Sequence, residues 1–421
     1  MPSSAPSENF SVANPHALAT ILEASQTRSI IASRDIFDMS GTKLWARNAP
    51  VSPALQRKLV DRQLRQPLET CLLAEDGVTA HAIVRLLESL LSQDTPLSAL
   101  LHPHADKLVR AASHLPLHSV AQLLLTAGQA SRPETFEHAI QAMALNGALA
   151  VANGGGAYEL RTAMLCGLLH DLGEMYIDPH HGEGDADRTL DFQSYQQLVV
   201  HPHVGKLLIE QLTDYPPVVA RAIAEHHERL DGSGYPHRLQ RDAMSPLGRL
   251  LAVTEAALNV QRGEHPHLAR VSVALRVVPG EFDLHWVGMI AHAARLQPEL
   301  QPTHSLGEIQ ERLSRLDAAL QSAQVSIGAL LNQADSSPLK GALGLAQHLL
   351  DRLRRGWYAS GLWNEQSLTP QDAAEVEATE DELLFRLRTI QRAALLRAGD
   401  LPESDAMRLN LLCESLAGDI D

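Results

Sequence analysis

Histidine and carboxylate residues cluster between Glu134 and Glu255. Neutral imidazole and carboxylate are common protein ligands of divalent transition metals. The candidate ligands in this stretch are Glu134, His138, His170, Asp171, His201, His226, His227 and Glu255. Such a set could surround one or two ions, and two ions about 3.5–4 Å apart can bind a phosphate ester and supply hydroxide to attack it. The chemistry predicted for this stretch is therefore metal-assisted hydrolysis of a phosphodiester.

Predicted helices position most of these side chains. The His-Asp pair follows the apolar segment 161–169, and the two adjacent histidines follow the apolar segment 218–224, so each pair lies at the end of a predicted helix. A further helix over 246–260 could direct Glu255 toward them. Polar groups that close a buried helix are costly unless they are satisfied, and metal coordination would satisfy them. Taken alone, a His-Asp pair also fits a capping aspartate beside a surface histidine.

A longer motif begins at the two adjacent histidines. It reads His-His-Glu-Arg-Leu-Asp-Gly-Ser-Gly-Tyr-Pro over residues 226–236, and its glycines favour a tight turn. Together with the His-Asp pair and His201, which precede it in order, this motif resembles the HD-GYP subgroup of HD-domain metal-dependent phosphohydrolases over residues 128 to 270. The resemblance implies an all-helical domain that binds divalent metal and hydrolyses cyclic di-GMP in bacterial second-messenger signalling.

The resemblance also assigns roles to individual residues. It implies that His138, His170 and Asp171 bind one ion, with Asp171 as the bridge, and that Asp171 and His170 are the catalytic residues. It places the remaining metal ligands at His201, His226, His227 and Glu255, with Glu134 available to a third ion. The loop that shapes the site matches Asp231, Gly234, Tyr235 and Pro236. The expected cofactors are two divalent metal ions, or three, and iron or manganese is the expected metal.

The chain departs from the family pattern at several positions. Glu174 stands where the family has a lysine that meets the phosphate, and Glu255 stands where it has an aspartate ligand. The Arg-Pro-Tyr segment is missing near Arg262, and the linker contains His180 and His181, which we interpret as part of a polar loop rather than as extra ligands. A second function therefore stays open, in which a degenerate domain binds metal or nucleotide and acts as a signalling scaffold. A third is hydrolysis of a different phosphoester.

Composition limits the class of protein. The chain has 421 residues, of which 45% are hydrophobic, and a formal net charge of −15. This charge argues against a nucleic-acid polymer as partner, because such proteins usually carry a basic patch. No run approaches about 18 apolar residues, and no N-terminal segment is typical of a signal peptide, so we expect no membrane association. Three scattered cysteines do not indicate a disulfide framework, and the bacterial cytoplasm is the expected location.

The predicted fold class is mainly α, in four parts. We expect a flexible N-terminus over 1–27, a small strand-strand-helix module over 28–75, a helical HD-GYP-like domain over 76–300 and a C-terminal helical bundle or hairpin over 301–421. In the small module, isoleucines 30, 31 and 36 predict a hairpin that turns at Gly41, followed by a helix capped by Ser52 with Pro53 at its first position. Leucine stripes in the C-terminal part predict a core, or a surface for a homodimer or a signalling partner.

Overall fold

The computed structural model describes residues 10–178, 199–262, 265–361, 372–395 and 401–418. Helices dominate these residues, and the strands among them form two short antiparallel pairs, so the prediction of a mainly α fold is confirmed. The chain forms two compact units. The first contains the described residues up to Leu258 except 229–233, and the second contains 229–233 and the described residues from Asn259 onward. The four predicted domain boundaries stay predictions.

The first unit begins with a small mixed module. Helix α1, Pro15–Ala24, starts at Asn14, whose side chain accepts hydrogen bonds from the next two free backbone amides at 3.0 Å. The strands are β1 (Ile30–Ala32), β2 (Ile36–Phe37), β3 (Lys43–Trp45) and β4 (Leu72–Ala74), and helix α2, Pro53–Leu59, lies between the last two. Strand β1 pairs with β4, and β2 pairs with β3.

The structure confirms part of the predicted hairpin. Strands β2 and β3 form it, and Gly41 provides the turn with a φ of +90°, in the left-handed region that favours glycine. The first two isoleucines belong instead to β1, which pairs with a strand about forty residues later. Pro53 opens α2 and Ser52 occupies the N-cap position, as predicted, but the Ser52 side chain makes no capping hydrogen bond.

A helical layer completes the first unit. Its helices are α3 (Ala80–Ser92), α4 (Ser98–Leu101), α5 (Ala105–Ala112), α6 (Ser119–Ser131), α7 (Pro133–Ala152), α8 (Ala157–Leu169), α9 (His201–Leu212), α10 (Pro217–Glu225) and α11 (Pro246–Gln261), the last of which extends past Leu258. A 3₁₀ segment, His170–Tyr176, follows α8 directly. Most of α7 is buried, since it is apolar on several faces, as expected for a central helix. Gly167 on α8 allows α7 to approach closely, because a Cβ there would lie 2.5 Å from the Ala142 carbonyl oxygen.

The second unit is built from longer helices. They are α12 (Leu268–Ala274), α13 (Leu284–Ala294), α14 (Leu306–Gln333), α15 (Ser337–Ser360), α16 (Ala373–Leu395) and α17 (Glu403–Gly418). Helix α14 begins with a capping box, in which Ser305 and Glu308 bind each other's backbone amides. Leucines at helical spacing, such as Leu313 and Leu320, are buried with Trp357 in one apolar core. None of the described helices is long and apolar enough to cross a membrane.

Candidate metal centre

Helix α7 brings one histidine to the centre of the first unit. His138 lies in the second turn of this helix and is buried. Glu134, four residues earlier, lies in the first turn and is exposed. The shared helical face that the spacing predicts therefore does not carry both side chains to one place, because the first turn ends at the surface. Glu134 belongs to neither group of converging ligand atoms described below.

The 3₁₀ segment after α8 presents the His-Asp pair. His170 is its first residue and Asp171 its second, and both are buried. Gly173 in the same segment packs against the start of α9, since a Cβ at this glycine would lie 2.0 Å from the carbonyl oxygen of His201. Only a residue without a side chain permits this approach. The close packing therefore fixes His201, the first residue of α9, beside the His-Asp pair.

Helix α11 delivers the second carboxylate. Glu255 lies on it and is fully buried. The adjacent Thr254 donates a hydrogen bond to the Asn146 side chain at 3.0 Å, and Asn146 donates to the Ala163 carbonyl at 2.7 Å. This buried chain of hydrogen bonds joins α11 to α7 and α8. Because both partners are satisfied, it holds the helix in one register, with Glu255 facing the histidines.

The end of α10 supplies two more histidines. His226 and His227 follow the last residue of the helix, Glu225, and both are buried. The Glu225 carboxylate accepts hydrogen bonds from the Ser245 amide at 2.7 Å and the Ser245 hydroxyl at 2.6 Å. Ser245 immediately precedes α11. Glu225 thus joins the end of α10 to the start of α11, so the helices that carry His226 and Glu255 are fixed relative to each other.

The first ligand group consists of His138, His170, Asp171 and Glu255. Glu255 Oε2 lies 2.9 Å from His138 Nε2 and 3.1 Å from His170 Nε2. Asp171 Oδ2 lies 2.9 Å from His170 Nε2 and 3.6 Å from His138 Nε2. The two Nε2 atoms are 3.2 Å apart. Four ligand atoms from two helices, α7 and α11, and from the 3₁₀ segment therefore converge on one buried point.

The second ligand group consists of Asp171, His201, His226 and His227. His201 Nε2 and His226 Nε2 are 3.0 Å apart, and Asp171 Oδ1 lies 3.5 Å from the first and 3.4 Å from the second. All the ligand atoms in this group lie within 4.8 Å of one another. Since Asp171 directs Oδ2 to one group and Oδ1 to the other, it is the residue that the two groups share.

The donor set fits divalent metal ions. His170 Nδ1 lies 2.8 Å from the Gly167 carbonyl, and His226 Nδ1 lies 2.6 Å from the Ile223 carbonyl. A carbonyl only accepts, so each Nδ1 carries a proton, and each ring in its neutral form has a lone pair on Nε2, directed at the site. Ligand atoms about 2.1 Å from an ion and at right angles lie about 3.0 Å apart, which is close to the observed separations.

The buried carboxylates also require cations. Asp171 Oδ1 and Glu255 Oε1 have no hydrogen-bond partner among the described residues. Although burial opposes ionisation, the neighbouring imidazoles of His170 and His138 hold the pKa of both carboxyl groups well below the usual range. Burial likewise opposes charge on His170, but Asp171 and Glu255 raise its pKa well above the usual histidine value. A metal ion that binds here exchanges with that proton.

One histidine of the second group, His226, is held neutral. Burial and the neighbouring His227 lower the pKa of His226 to about 3. The neutral ring is the form that binds metal, so His226 needs no deprotonation to act as a ligand at neutral pH. His170 and His226 therefore differ in charge before any ion binds.

Part of the predicted signature loop folds back onto His227. The Tyr235 ring stacks on the His227 ring with centroids 4.6 Å apart and an interplanar angle of 19°, and the Tyr235 amide donates to the His227 carbonyl at 3.1 Å. Glu228, which is fully buried, accepts hydrogen bonds from the amides of His237 at 2.6 Å and Leu239 at 2.9 Å. Its carboxylate therefore closes the loop that contains Gly234 and Pro236.

The preceding loop residues belong to the second unit. There the Asp231 carboxylate accepts hydrogen bonds from the amide and hydroxyl of Ser233 at 2.9 and 2.6 Å, which forms a local turn. Arg352 on α15 pairs with the same carboxylate at 2.7 Å. Gly232 adopts a φ of +80°, as the predicted tight turn requires. Asp231 is thus held by charge and by its own loop.

Comparison with known proteins identifies the domain. Residues 119–277 match the family model described as HD domain. The chain is 28% identical over 208 residues to a cyclic di-GMP phosphodiesterase of Pseudomonas aeruginosa, a match that covers 49% of this chain and 47% of the relative. The chain carries an HD domain of the HD-GYP type.

Two further relatives of the HD domain come from Vibrio cholerae. The 3′3′-cGAMP-specific phosphodiesterase 1 is 26% identical over 185 residues, which cover 41% of this chain and 42% of the relative. The 3′3′-cGAMP-specific phosphodiesterase 3 is 23% identical over 256 residues, which cover 58% and 54%. The chain spans about half the length of the curated relatives it matches. No solved structure gives a significant match.

Within the HD domain, sequence reasoning located most of the converging residues and missed others. The two ligand groups contain seven of the eight candidate ligands, and Glu134 is the exception. That these residues bind metal stays a prediction. Glu225 and Glu228 were not among the candidate residues predicted from the sequence. A carboxylate on either side of two histidines at a helix end could have indicated that both take part in the site. His180 and His181 lie outside the described residues.

The structure shows where Glu174, one of the departures from the family pattern, lies. It lies in the same 3₁₀ segment as the His-Asp pair and is only 3% exposed. A second departure, Glu255, is directed into the first ligand group despite its extra methylene. No sequence pattern indicated that Arg132 donates a hydrogen bond to the main-chain carbonyl of Glu174.

Proposed function

We propose that this protein is a metal-dependent phosphodiesterase that hydrolyses cyclic di-GMP in bacterial second-messenger signalling. One observation carries the proposal: the two buried ligand groups share the carboxylate of Asp171. Two neighbouring cation sites suit a phosphodiester, because in-line displacement develops charge on the attacking oxygen and on the leaving oxygen.

The residues of the two ligand groups would hold two ions. His138, His170 and Glu255 would hold one ion, and His201, His226 and His227 would hold the other, with Asp171 between them. Divalent ions bound there would polarise the phosphate and activate water at neutral pH. Burial of every ligand lowers the local dielectric, which strengthens electrostatic interactions in the site.

Iron and manganese are the proposed metals. Imidazole nitrogen suits iron, and carboxylate oxygen suits manganese, so a set of five histidines and two carboxylates accommodates either. Metal identity also depends on supply, which is why it must be measured on protein prepared without exposure to oxygen.

The relatives' names support a cyclic dinucleotide as substrate. One relative is named for cyclic di-GMP and others for 3′3′-cGAMP. Hydrolysis would add the oxygen of water to one phosphorus and break one ester bond, and the leaving oxygen would take the proton. Opening one link gives a linear dinucleotide, and opening both gives mononucleotides. A bacterial cytoplasmic location remains part of the proposal.

Product analysis tests this proposal. The full chain is purified anaerobically, loaded with Fe(II) or Mn(II), and incubated separately with cyclic di-GMP and 3′3′-cGAMP, and metal content is measured on the same samples. We expect faster turnover of cyclic di-GMP and its loss in His170→Ala. His81→Ala is the matched control, because His81 is an exposed histidine of the same unit. Turnover that persists in His170→Ala would refute the assignment.

Glu174 favours a second candidate function, a non-catalytic signalling scaffold. A buried carboxylate in the segment that carries the His-Asp pair places an acidic group where the family resemblance predicts a cation for the phosphate. Under this alternative the protein binds metal and nucleotide without releasing product. The same experiment separates the two functions, since bound metal with no turnover of either cyclic dinucleotide would favour the scaffold.

A further inference from the structure

Arg132 carries a buried, unsatisfied donor in the first unit. It immediately precedes α7, and its Nη1 donates to the main-chain carbonyl of Glu174 at 3.4 Å. Its Nη2 is shielded from solvent and has no hydrogen-bond partner among the described residues. A guanidinium keeps its charge at all physiological pH values, and a buried charged donor without an acceptor is costly. Arg132 therefore has an unmet requirement for an acceptor.

The position of Arg132 relates it to both ligand groups. Glu174 follows Asp171 by three residues in the 3₁₀ segment, which is one turn, or about 6 Å along the axis. His138 is the sixth residue of α7, about 8 Å along the helix from Pro133, which directly follows Arg132. The Arg132 guanidinium thus contacts the 3₁₀ segment, which carries Asp171. Arg132 itself directly precedes α7, which carries His138.

The chemistry of the acceptor follows from charge. A carbonyl oxygen accepts a hydrogen bond but does not neutralise a cation, so the Glu174 carbonyl does not compensate the charge of Arg132. A phosphodiester presents two non-bridging oxygens that share one negative charge, and a guanidinium presents paired N–H donors that match such an oxygen pair.

We propose that Arg132 binds a non-bridging phosphate oxygen of the cyclic dinucleotide through Nη2. This inference rests on the proposed function and deepens it, because it names the protein cation that meets the substrate beside the metal ligands. Arg132 compensates for the acidic residue at position 174 from the residue before α7. Its contact with the Glu174 carbonyl orients the guanidinium and leaves Nη2 for the substrate.

Equilibrium binding tests the inference without turnover. The metal-loaded full chain is titrated with phosphorothioate analogues of cyclic di-GMP and 3′3′-cGAMP, which resist hydrolysis, and metal content is measured on each sample. The variants are Arg132→Gln and Arg132→Lys. The control is Arg85→Gln, since Arg85 is exposed on another helix of the same unit.

The expected result is selective. Arg132→Gln should weaken analogue binding at least about tenfold with metal content unchanged, because a charge-assisted hydrogen bond is lost. Arg132→Lys should retain part of the affinity, since it keeps the charge but not the paired donors. Arg85→Gln should bind as the wild type does.

Three results would overturn the inference, and they are distinguishable. Unchanged affinity in Arg132→Gln would show that Nη2 does not meet the phosphate. Loss of metal in this variant would show that Arg132 positions the 3₁₀ segment rather than the substrate. If the metal-loaded wild type binds neither analogue, the proposed function fails, and the inference fails with it.

Discussion

Replacing the shared carboxylate tests the two-ion arrangement most directly. Asp171→Asn keeps the side-chain shape but leaves one ligating oxygen, because the amide nitrogen does not bind metal. In the structure each carboxylate oxygen faces a different ligand group, within 3.6 Å of two imidazole nitrogens. An asparagine can therefore serve at most one group, so we expect at least one ion to be lost while the fold is retained.

The magnitude follows from metal linkage. Outer-shell partners of a metal already contribute about 10–100-fold in affinity, so loss of a direct ligand should cost at least about 100-fold. A metal present at about 100 times its dissociation constant stabilises the fold by about 2.7 kcal/mol, and after a 100-fold loss of affinity the same concentration provides about 0.4 kcal/mol. The metal-dependent rise in melting temperature should then shrink by about 5 °C or more.

The assay combines metal content after desalting with thermal unfolding at several metal concentrations. Asp106→Asn is the control, because Asp106 is an exposed aspartate on α5 of the same unit. Circular dichroism checks that the helices persist. An Asp171→Asn protein that binds as much metal as the wild type, with the same metal-dependent melting temperature, would refute the sharing of this carboxylate.

Three further perturbations follow from particular contacts. Gly173→Ala should lower the free energy of unfolding by about 1–3 kcal/mol and reduce metal content, because the new Cβ would overlap a main-chain carbonyl, whereas Gly128→Ala, with nothing within 4 Å, should be neutral or stabilising in urea titrations. Burial raises the pKa of Glu69 above its ordinary value of 4.5, so its contribution to stability is present below pH 4.5 and is lost as the pH rises through the raised pKa. Glutamine does not ionise, so Glu69→Gln should not lose stability in this way. The melting temperature of the variant should therefore exceed that of the wild type by a margin that grows as the pH rises through the raised pKa. A margin that is the same at every pH would contradict this expectation. Glu174→Lys should change dinucleotide affinity little in the wild type but restore it in Arg132→Gln, because either cation can bind the phosphate. Equal changes in affinity in both backgrounds, measured by titration, would argue against this common role.

Local sequence predicted those parts of the fold that local interactions determine. Helix α14 is one such part, because its leucines at helical spacing and the Ser305–Glu308 capping box at its start lie within a few residues of one another. The pairing of β1 with β4 could not be predicted in the same way. These strands have three residues each, too few to show alternation, and their register depends on a partner far along the chain.

The same distinction applies to the site. Residue type and order indicated the histidines and Asp171, since each pair closes an apolar helix. The partition into two groups required tertiary structure. Glu255 enters the first group because Glu225 and Ser245 fix the start of its helix, and Arg132 meets Glu174 because α7 packs beside the 3₁₀ segment. Neither contact has a periodic signature in the sequence.

Charge acts on two length scales in the proposed enzyme. The whole chain carries a formal net charge of −15, which repels long polyanions at low ionic strength. Inside the site, two divalent ions would outweigh the two carboxylates of the ligand groups, and Arg132 would add a further positive charge. Because a buried field is screened less than a surface field, attraction to a small phosphodiester should persist in salt that weakens surface interactions. A small substrate can enter the site and interact mainly with its positive charges, whereas a nucleic-acid strand also meets the negatively charged surface. The small substrate is therefore favoured, which is the selectivity that a cyclic dinucleotide phosphodiesterase requires.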